Sequence, residues 1–257
     1  MKILRYRADD DTHYGILEDD ETVRQLVGSP FDNLDTHVTV THLNQVRVLA
    51  PIEAPRVIGV GLNYAAHAHE SGQSPPPHPM LFMKPSTGVI GPEDSIVYPC
   101  QGQEVHYEGE LAVVIGKTAR RVSKAEALDY VLGYTCGNDV SERVIQRSEM
   151  SLGFMLLGKG FDTFCPLGPV IATGLDATNL DLTTRLNGVV KQQTNTSDLL
   201  FPVAELISYI SDVMTLLPGD VIMTGTPAGV GPVVPGDVVE IEISGVGILR
   251  NPVVVEE

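Results

Sequence analysis

Short apolar runs separated by acidic turns open the chain: KILRYR, then DDDTH, YGILED and DDETVRQL. This alternation predicts a small β-rich module. Two prolines fall close together in APIEAPRVIGVG, which places a junction there, with a small N-terminal β-rich domain over 1–52 and a larger domain over 53–257. Beyond the junction the predicted strands are short and the turns are built on Pro-Gly-Asp or Gly-Pro, as in LLPGDVIMTG and VVPGDVVEIEISG. Three helices are expected. Ser123 and Glu126 form a capping box before SKAEALDYVLG, a second helix follows Ser141 in SERVIQRSEM, and Leu206, Ile210, Val213 and Leu217 keep helical spacing in VAELISYISDVMTLL. Because strands and helices do not alternate regularly, the pattern favours an α+β, mostly β fold over a doubly wound parallel sheet. No internal repeat is visible, and PPPHP at 75–79 is the only biased patch.

EVHYEGELAVVIGK, residues 104–117, is the most informative stretch. Read as a strand with a period of two, it puts Glu108 and Glu110 on the face that also carries Ala112 and Val114. Two carboxylates about 7 Å apart at Cα then head toward an apolar interior. Burial and mutual repulsion must be offset there by a bound cation or by protonation, unless the strand end projects into solvent. A third carboxylate, Asp139 in GYTCGNDVSERVIQ, follows an apparent buried strand and precedes a helix start, where it also fits a simple cap or turn. Three oxygen donors with no Cys or His nearby in sequence suit Mg²⁺ or Mn²⁺ rather than zinc.

In GLNYAAHAHESG, a helical reading spaces His67 and Glu70 at i, i+3, close enough to hydrogen-bond and give an oriented imidazole suited to acid–base work, while His69 projects elsewhere. Gly59 and Gly61 imitate the start of a dinucleotide fingerprint. The third glycine position is Tyr64 and no acidic partner follows about 20 residues later, so a nucleotide cofactor is rejected. Lys84 in LFMKPST and Lys159 in GKGFDTFCPLGP are candidate cations for a carboxylate substrate, and the glycine-rich turn with Thr226 offers N–H and hydroxyl donors to an anion.

Charge narrows the function classes. With 17 Lys and Arg against 33 Asp and Glu, the formal net charge is −16, which disfavours nucleic acid and anionic membrane surfaces. A hydrophobic share of 43 % with 19 % charged residues marks a folded globular chain. The start MKILRYRADDD lacks the apolar core of a signal peptide and no apolar run approaches bilayer length, so a cytoplasmic protein is expected. Cys100, Cys136 and Cys165 form no CxxC pair and are expected to be buried small hydrophobes.

Taken in order, GLNYAAHAHE, PMLFMKPST, HYEGELAVVIGK, GNDVSERVIQ, KGFDTFCPLGP and LLPGDVIMTGTPAGVG resemble the fumarylacetoacetate hydrolase family over roughly 55–252. The resemblance implies a mixed β-sandwich-roll catalytic domain, a homodimer, and a divalent metal, usually Mg²⁺, held at Glu108, Glu110 and Asp139. It also implies that His67 and Glu70 form a dyad on a mobile lid that activates water, and that Lys159 lies beside the metal. Arg143, Gln146 and Thr226 fall where members touch substrate. KQQTNTSDLLF departs from the commoner Arg-Gln-x-Gly form, so no substrate contact is carried onto Gln192 or Thr196. The expected substrate is a 2-oxo or enol acid, reacting through a metal-stabilised enolate. The first expected activity is C–C hydrolysis of an acylpyruvate such as fumarylpyruvate or acetylpyruvate. The alternatives are a 2-hydroxyhepta-2,4-diene-1,7-dioate isomerase or 5-oxopent-3-ene-1,2,5-tricarboxylate decarboxylase, an oxaloacetate tautomerase or decarboxylase, and a dicarboxylate-binding protein without turnover.

Overall fold

A computed structural model describes residues 1–19 and 21–256. The N-terminal segment forms β1 (Lys2–Ala8), β2 (Asp11–Leu17), β3 (Thr22–Leu26), β4 (Thr36–His42) and β5 (Arg47–Leu49). Then come β6 (Val57–Gly61), the short helix α1 (Ala65–Glu70), β7 (Met80–Lys84), β8 (Val89–Ile90) and β9 (Ile96–Tyr98). The centre of the chain holds β10 (Val105–Tyr107), β11 (Gly109–Ile115), β12 (Val131–Asn138), β13 (Ser141–Glu142) and α2 (Arg143–Ser151). It closes with β14 (Cys165–Ala172), β15 (Asp181–Leu186), β16 (Val189–Asn195), α3 (Val203–Val213), β17 (Val221–Met223), β18 (Gly231–Pro232), β19 (Val238–Ile243) and β20 (Gly247–Val255).

These strands build one large sheet in the order β4-β3-β2-β1-β14-β12-β11-β17-β6-β7, with β5 on β1 and β8 on β14. A five-stranded sheet runs β16-β15-β19-β20-β9, and β13-β10-β18 forms a three-stranded one. Most pairs are antiparallel; β6–β17, β8–β14 and β9–β20 are parallel. The mostly β, α+β expectation therefore holds. The N-terminal strands make no separate sheet, because Lys2 and Ile3 of β1 pair with Ala172 and Ile171 of β14.

β11 lies near the middle of the large sheet and is buried on both faces. Leu111, Val113 and Ile115 enter one apolar cluster, and Ala112 and Val114 enter the other. Two-sided burial explains the unbroken apolar run LAVVI, since each large side chain removed from water contributes about 1.5–3 kcal/mol. On α3, Val203, Leu206, Ile207 and Ile210 are buried at i, i+3, i+4, i+7. The helix ends at Val213, which is 75 % exposed, so the expected stripe through Leu217 is corrected.

Two further expectations change. Ser123 Oγ does donate to Glu126 Oε2 at 2.7 Å, yet only a 3₁₀ turn, Ala127–Tyr130, follows. The VLGYTCGN that comes next is captured as β12 between β11 and β14, so sheet pairing overrides the local helix signal. Cys136 and Cys165 are buried, but Cys100 is exposed in the turn after β9. No helix among the described residues is long and apolar enough to cross a membrane.

Candidate active site

The acidic cluster follows from strand register. Gly109 pairs with Asn138 and Glu110 with Gly137 in the antiparallel β11–β12 ladder, so Glu108 continues the ladder opposite Asp139. Asp139 N donates to Glu108 O at 2.9 Å, which closes that step. Directly opposed residues share a face, and so do residues two apart on one strand. Glu108, Glu110 and Asp139 therefore converge, each offering one carboxylate oxygen within 4.8 Å of the other two. They are 4 %, 1 % and 1 % exposed, which removes the solvent-projecting reading of the strand end.

Three cations surround them. Lys159 ends a 3₁₀ turn, Leu157–Lys159, and its Nζ donates to Glu108 Oε2 at 2.7 Å and Asp139 Oδ2 at 2.5 Å, 5.1 Å from the centre of the Phe82 ring. Arg143 Nη2 lies 2.5 Å from Glu108 Oε1 as a charge contact without hydrogen-bond alignment. Lys84 Nζ donates to Asp139 Oδ1 at 2.5 Å, Lys159 O at 2.7 Å and Val140 O at 3.2 Å.

The electrostatics split the carboxylates. Burial alone would raise Glu108, but Arg143, Lys159 and His67 outweigh it and hold that carboxyl well below the usual range. Glu110 is pushed well above it by burial, then by Asp139 and Glu108, against weaker opposition from Lys159 and the Gly225 N–H. Burial works against the Lys159 ammonium, yet Asp139 and Glu108 hold its pKa above the ordinary value. A hard divalent cation fits this donor set: all three groups offer oxygen, and its charge would offset the mutual repulsion of the buried carboxylates.

On α1, His67 Nδ1 lies 3.2 Å from Glu70 Oε2. Glu70 is anchored in turn by the Gly229 N–H at 3.0 and 3.2 Å to its two oxygens, and Tyr107 OH donates to Gly229 O at 2.9 Å. His67 is buried, whereas His69 is exposed, as the helical spacing implied. Dyad and carboxylates open into one cavity of about 380 Å³. Every candidate residue lines it except Lys84, whose three bonds spend all its protons behind Asp139; its expected role as a substrate cation is corrected to holding the carboxylate and the Lys159 turn. The anion-donor reading of the Thr226 turn also changes. Thr226 Oγ1 gives its proton to Gly109 O at 2.9 Å and Gly225 N donates to Glu110 Oε2 at 2.7 Å, so toward a ligand this hydroxyl can only accept.

Several supporting groups escape sequence reasoning. The Gln192 amide is buried and spans Gly109 N, Thr226 Oγ1 and Pro227 O, and Thr196 Oγ1 accepts from Leu180 N, so both residues are structural. Asn138 Oδ1 accepts from Glu108 N at 3.0 Å. Glu142 caps α2, accepting from Ile145 N at 2.6 Å as well as from Gln103 N and Glu104 N. Arg143, Gln146, Arg147 and Met150 all line the cavity, at i, i+3, i+4, i+7 along α2. That last spacing was available in the sequence and marks α2 as one cavity wall.

Comparison with known proteins shows what the whole chain is similar to. Residues 56–254 match the family described as Fumarylacetoacetate (FAA) hydrolase C-terminal, and residues 1–51 match the Rv2993c-like N-terminal family. The crystal structure of a 5-carboxymethyl-2-hydroxymuconate delta-isomerase from Mycobacterium smegmatis superposes with a TM-score of 0.93 and 45 % identity, covering 100 % of both chains. The mitochondrial oxaloacetate tautomerase FAHD2A of Bos taurus is 43 % identical over 232 residues, 86 % of this chain and 74 % of the relative. A maleylpyruvate hydrolase from Sphingobium sp. SYK-6, solved with manganese (II) ion and pyruvate, is 32 % identical with a TM-score of 0.82, again covering 100 % of both chains.

Proposed function

The chain belongs to the fumarylacetoacetate hydrolase family, and from that premise we propose that this enzyme interconverts keto and enol forms of a small 2-oxo diacid, using Mg²⁺ or Mn²⁺ at Glu108, Glu110 and Asp139. The observation that carries the reading is the shared cavity: an imidazole oriented by a carboxylate opens onto the same 380 Å³ space as three buried carboxylates. When bound, the cation supplies Lewis-acid polarisation of a keto oxygen. His67 then moves the proton on the neighbouring carbon, with Glu70 fixing the ring. Lys159 keeps one N–H beyond those it gives to Glu108 and Asp139, and this adds positive charge where the oxygen gains electrons. A bound divalent cation would add its charge to Lys159 and Arg143, which line the cavity, and this suits a substrate that carries carboxylates.

The likeness to an isomerase at 45 % identity and to an oxaloacetate tautomerase at 43 % supports proton transfer as the reaction. A second reading, C–C hydrolysis of an acylpyruvate with the same dyad deprotonating water, is favoured by the neighbour that holds manganese and pyruvate. Oxaloacetate, a hydroxyheptadienedioate, fumarylpyruvate and acetylpyruvate, each assayed with Mg²⁺, Mn²⁺ or chelator, separate the two. Faster cleavage than interconversion would make the hydrolase reading the correct one; turnover that survives complete metal removal would overturn both. A homodimer is also proposed, supported by the run of Leu152, Phe154, Leu156 and Leu157, each 50 % exposed or more. Sedimentation as a monomer would refute it.

A further inference from the structure

The turn that ends at Lys159 is hydrogen-bonded to a carboxylate that does not line the cavity. Glu149, near the end of α2, is 5 % exposed, has no basic partner among the described residues, and accepts three backbone N–H groups: Leu157 N at 2.7 Å, and Leu156 N and Gly158 N at 3.0 Å. Those residues are the turn that ends at Lys159. The turn is pressed tightly onto the helix: a Cβ added at Gly158 would lie 2.6 Å from Gln146 N and 2.7 Å from Gln146 Cα. A buried carboxylate costs free energy unless it is well bonded, and this one is satisfied by backbone alone, its pKa held below the usual range by Gly158, Leu156 and Leu157 against the opposing effect of burial. Such a group can hold a loop without contributing chemistry.

We propose that Glu149 is the positioning residue for Lys159: its carboxylate gathers three N–H groups of the 156–158 turn so that the lysine ammonium spans Glu108 and Asp139. This rests on the role assigned to Lys159 above and extends it to a residue outside the cavity. A neutral amide at position 149 keeps the size but turns one acceptor oxygen into a donor that faces an N–H. The turn then shifts, and a displacement of about 1 Å is enough to cost on the order of 10²-fold in rate.

The test has one arm that needs no substrate. Brief acetylation of the whole protein, read by mass spectrometry at Lys159, is compared between the native chain and Glu149→Gln, with alkylation of buried Cys136 as the monitor of general opening. The expected result is Lys159 labelling at least tenfold faster in E149Q while Cys136 stays protected. Equal Lys159 labelling in the two proteins, or Lys159 and Cys136 becoming reactive together, would overturn the proposal.

The second arm is a cycle with Lys159→Ala on keto–enol interconversion. E149Q should lower kcat at least tenfold when Lys159 is present and less than twofold when it is absent. The same loss in both backgrounds would assign Glu149 a general structural part and sink the idea. Should the substrate reading fail, the labelling arm still decides the positioning claim. If E149Q does not fold, Glu149→Asp, which keeps the charge and shortens its reach by one methylene, replaces it under the same two criteria.

Discussion

Gly109 stands opposite Asn138 in the β11–β12 ladder, and this pairing brings Glu108, Glu110 and Asp139 onto the other face. Glycine is required at 109 because a Cβ there would lie 2.0 Å from Thr184 Oγ1 and 3.2 Å from Gln192 Oε1. Gly109→Ala should therefore destabilise the protein by about 1–3 kcal/mol through overpacking. Adding Thr184→Ala should restore part of the loss in chemical denaturation. A Gly109→Ala protein as stable as the parent would show that the ladder has slack there.

The carboxylates should bind a hard cation as a unit. Titration calorimetry of Asp139→Asn with Mn²⁺ is expected to show affinity reduced on the order of 10²-fold or more, the upper end of losses seen even for outer-sphere partners. Glu110→Gln should behave likewise. Undiminished affinity in both variants would place the cation elsewhere.

The dyad should show graded losses. His67→Ala removes the general base and should cut kcat by about 10²–10⁴. Glu70→Gln keeps the ring and weakens only its orientation, so a loss of roughly tenfold is expected. A larger effect for Glu70 than for His67 would move the base to the carboxylate.

Glu149 also gives the fold an acid-sensitive contribution. Its folded pKa is depressed, so its stabilisation is present above the unfolded glutamate value of about 4.3 and disappears as pH falls through the folded value. Denaturation of the native chain and E149Q should show a stability gap that is steady near neutrality and narrows below about pH 4.3. A gap that widens on acidification would have the wrong sign.

Thiol chemistry separates the cysteines. Burial pushes the Cys136 and Cys165 thiols up to about 12, whereas Cys100 is exposed, its thiol raised chiefly by a hydrogen bond with Glu256. A thiol reagent should modify one group per native chain and three after unfolding. Two fast thiols in the native protein would contradict the packing around β12 and β14.

The amino-acid order alone was enough for the mostly β architecture, for α2 and most of α3, for two glutamates on one strand face and for a His67–Glu70 pair. These follow from periods of two and 3.6 residues and from ordered motifs, all local in the chain. The helix expected after Ser123 failed because β12 is decided by hydrogen bonds to β11 and β14 on either side, which no local capping signal reports.

Only the folded chain could join the pieces. Asp139 meets Glu108 across 31 positions through sheet register, Lys84 turns away from the cavity because three oxygens capture its ammonium, and Glu149 reaches a turn with which no spacing rule connects it. Side-chain direction within an element repeats along the backbone and can be read in one dimension. Which elements meet, and which polar groups satisfy one another when water is removed, depends on the whole packed molecule.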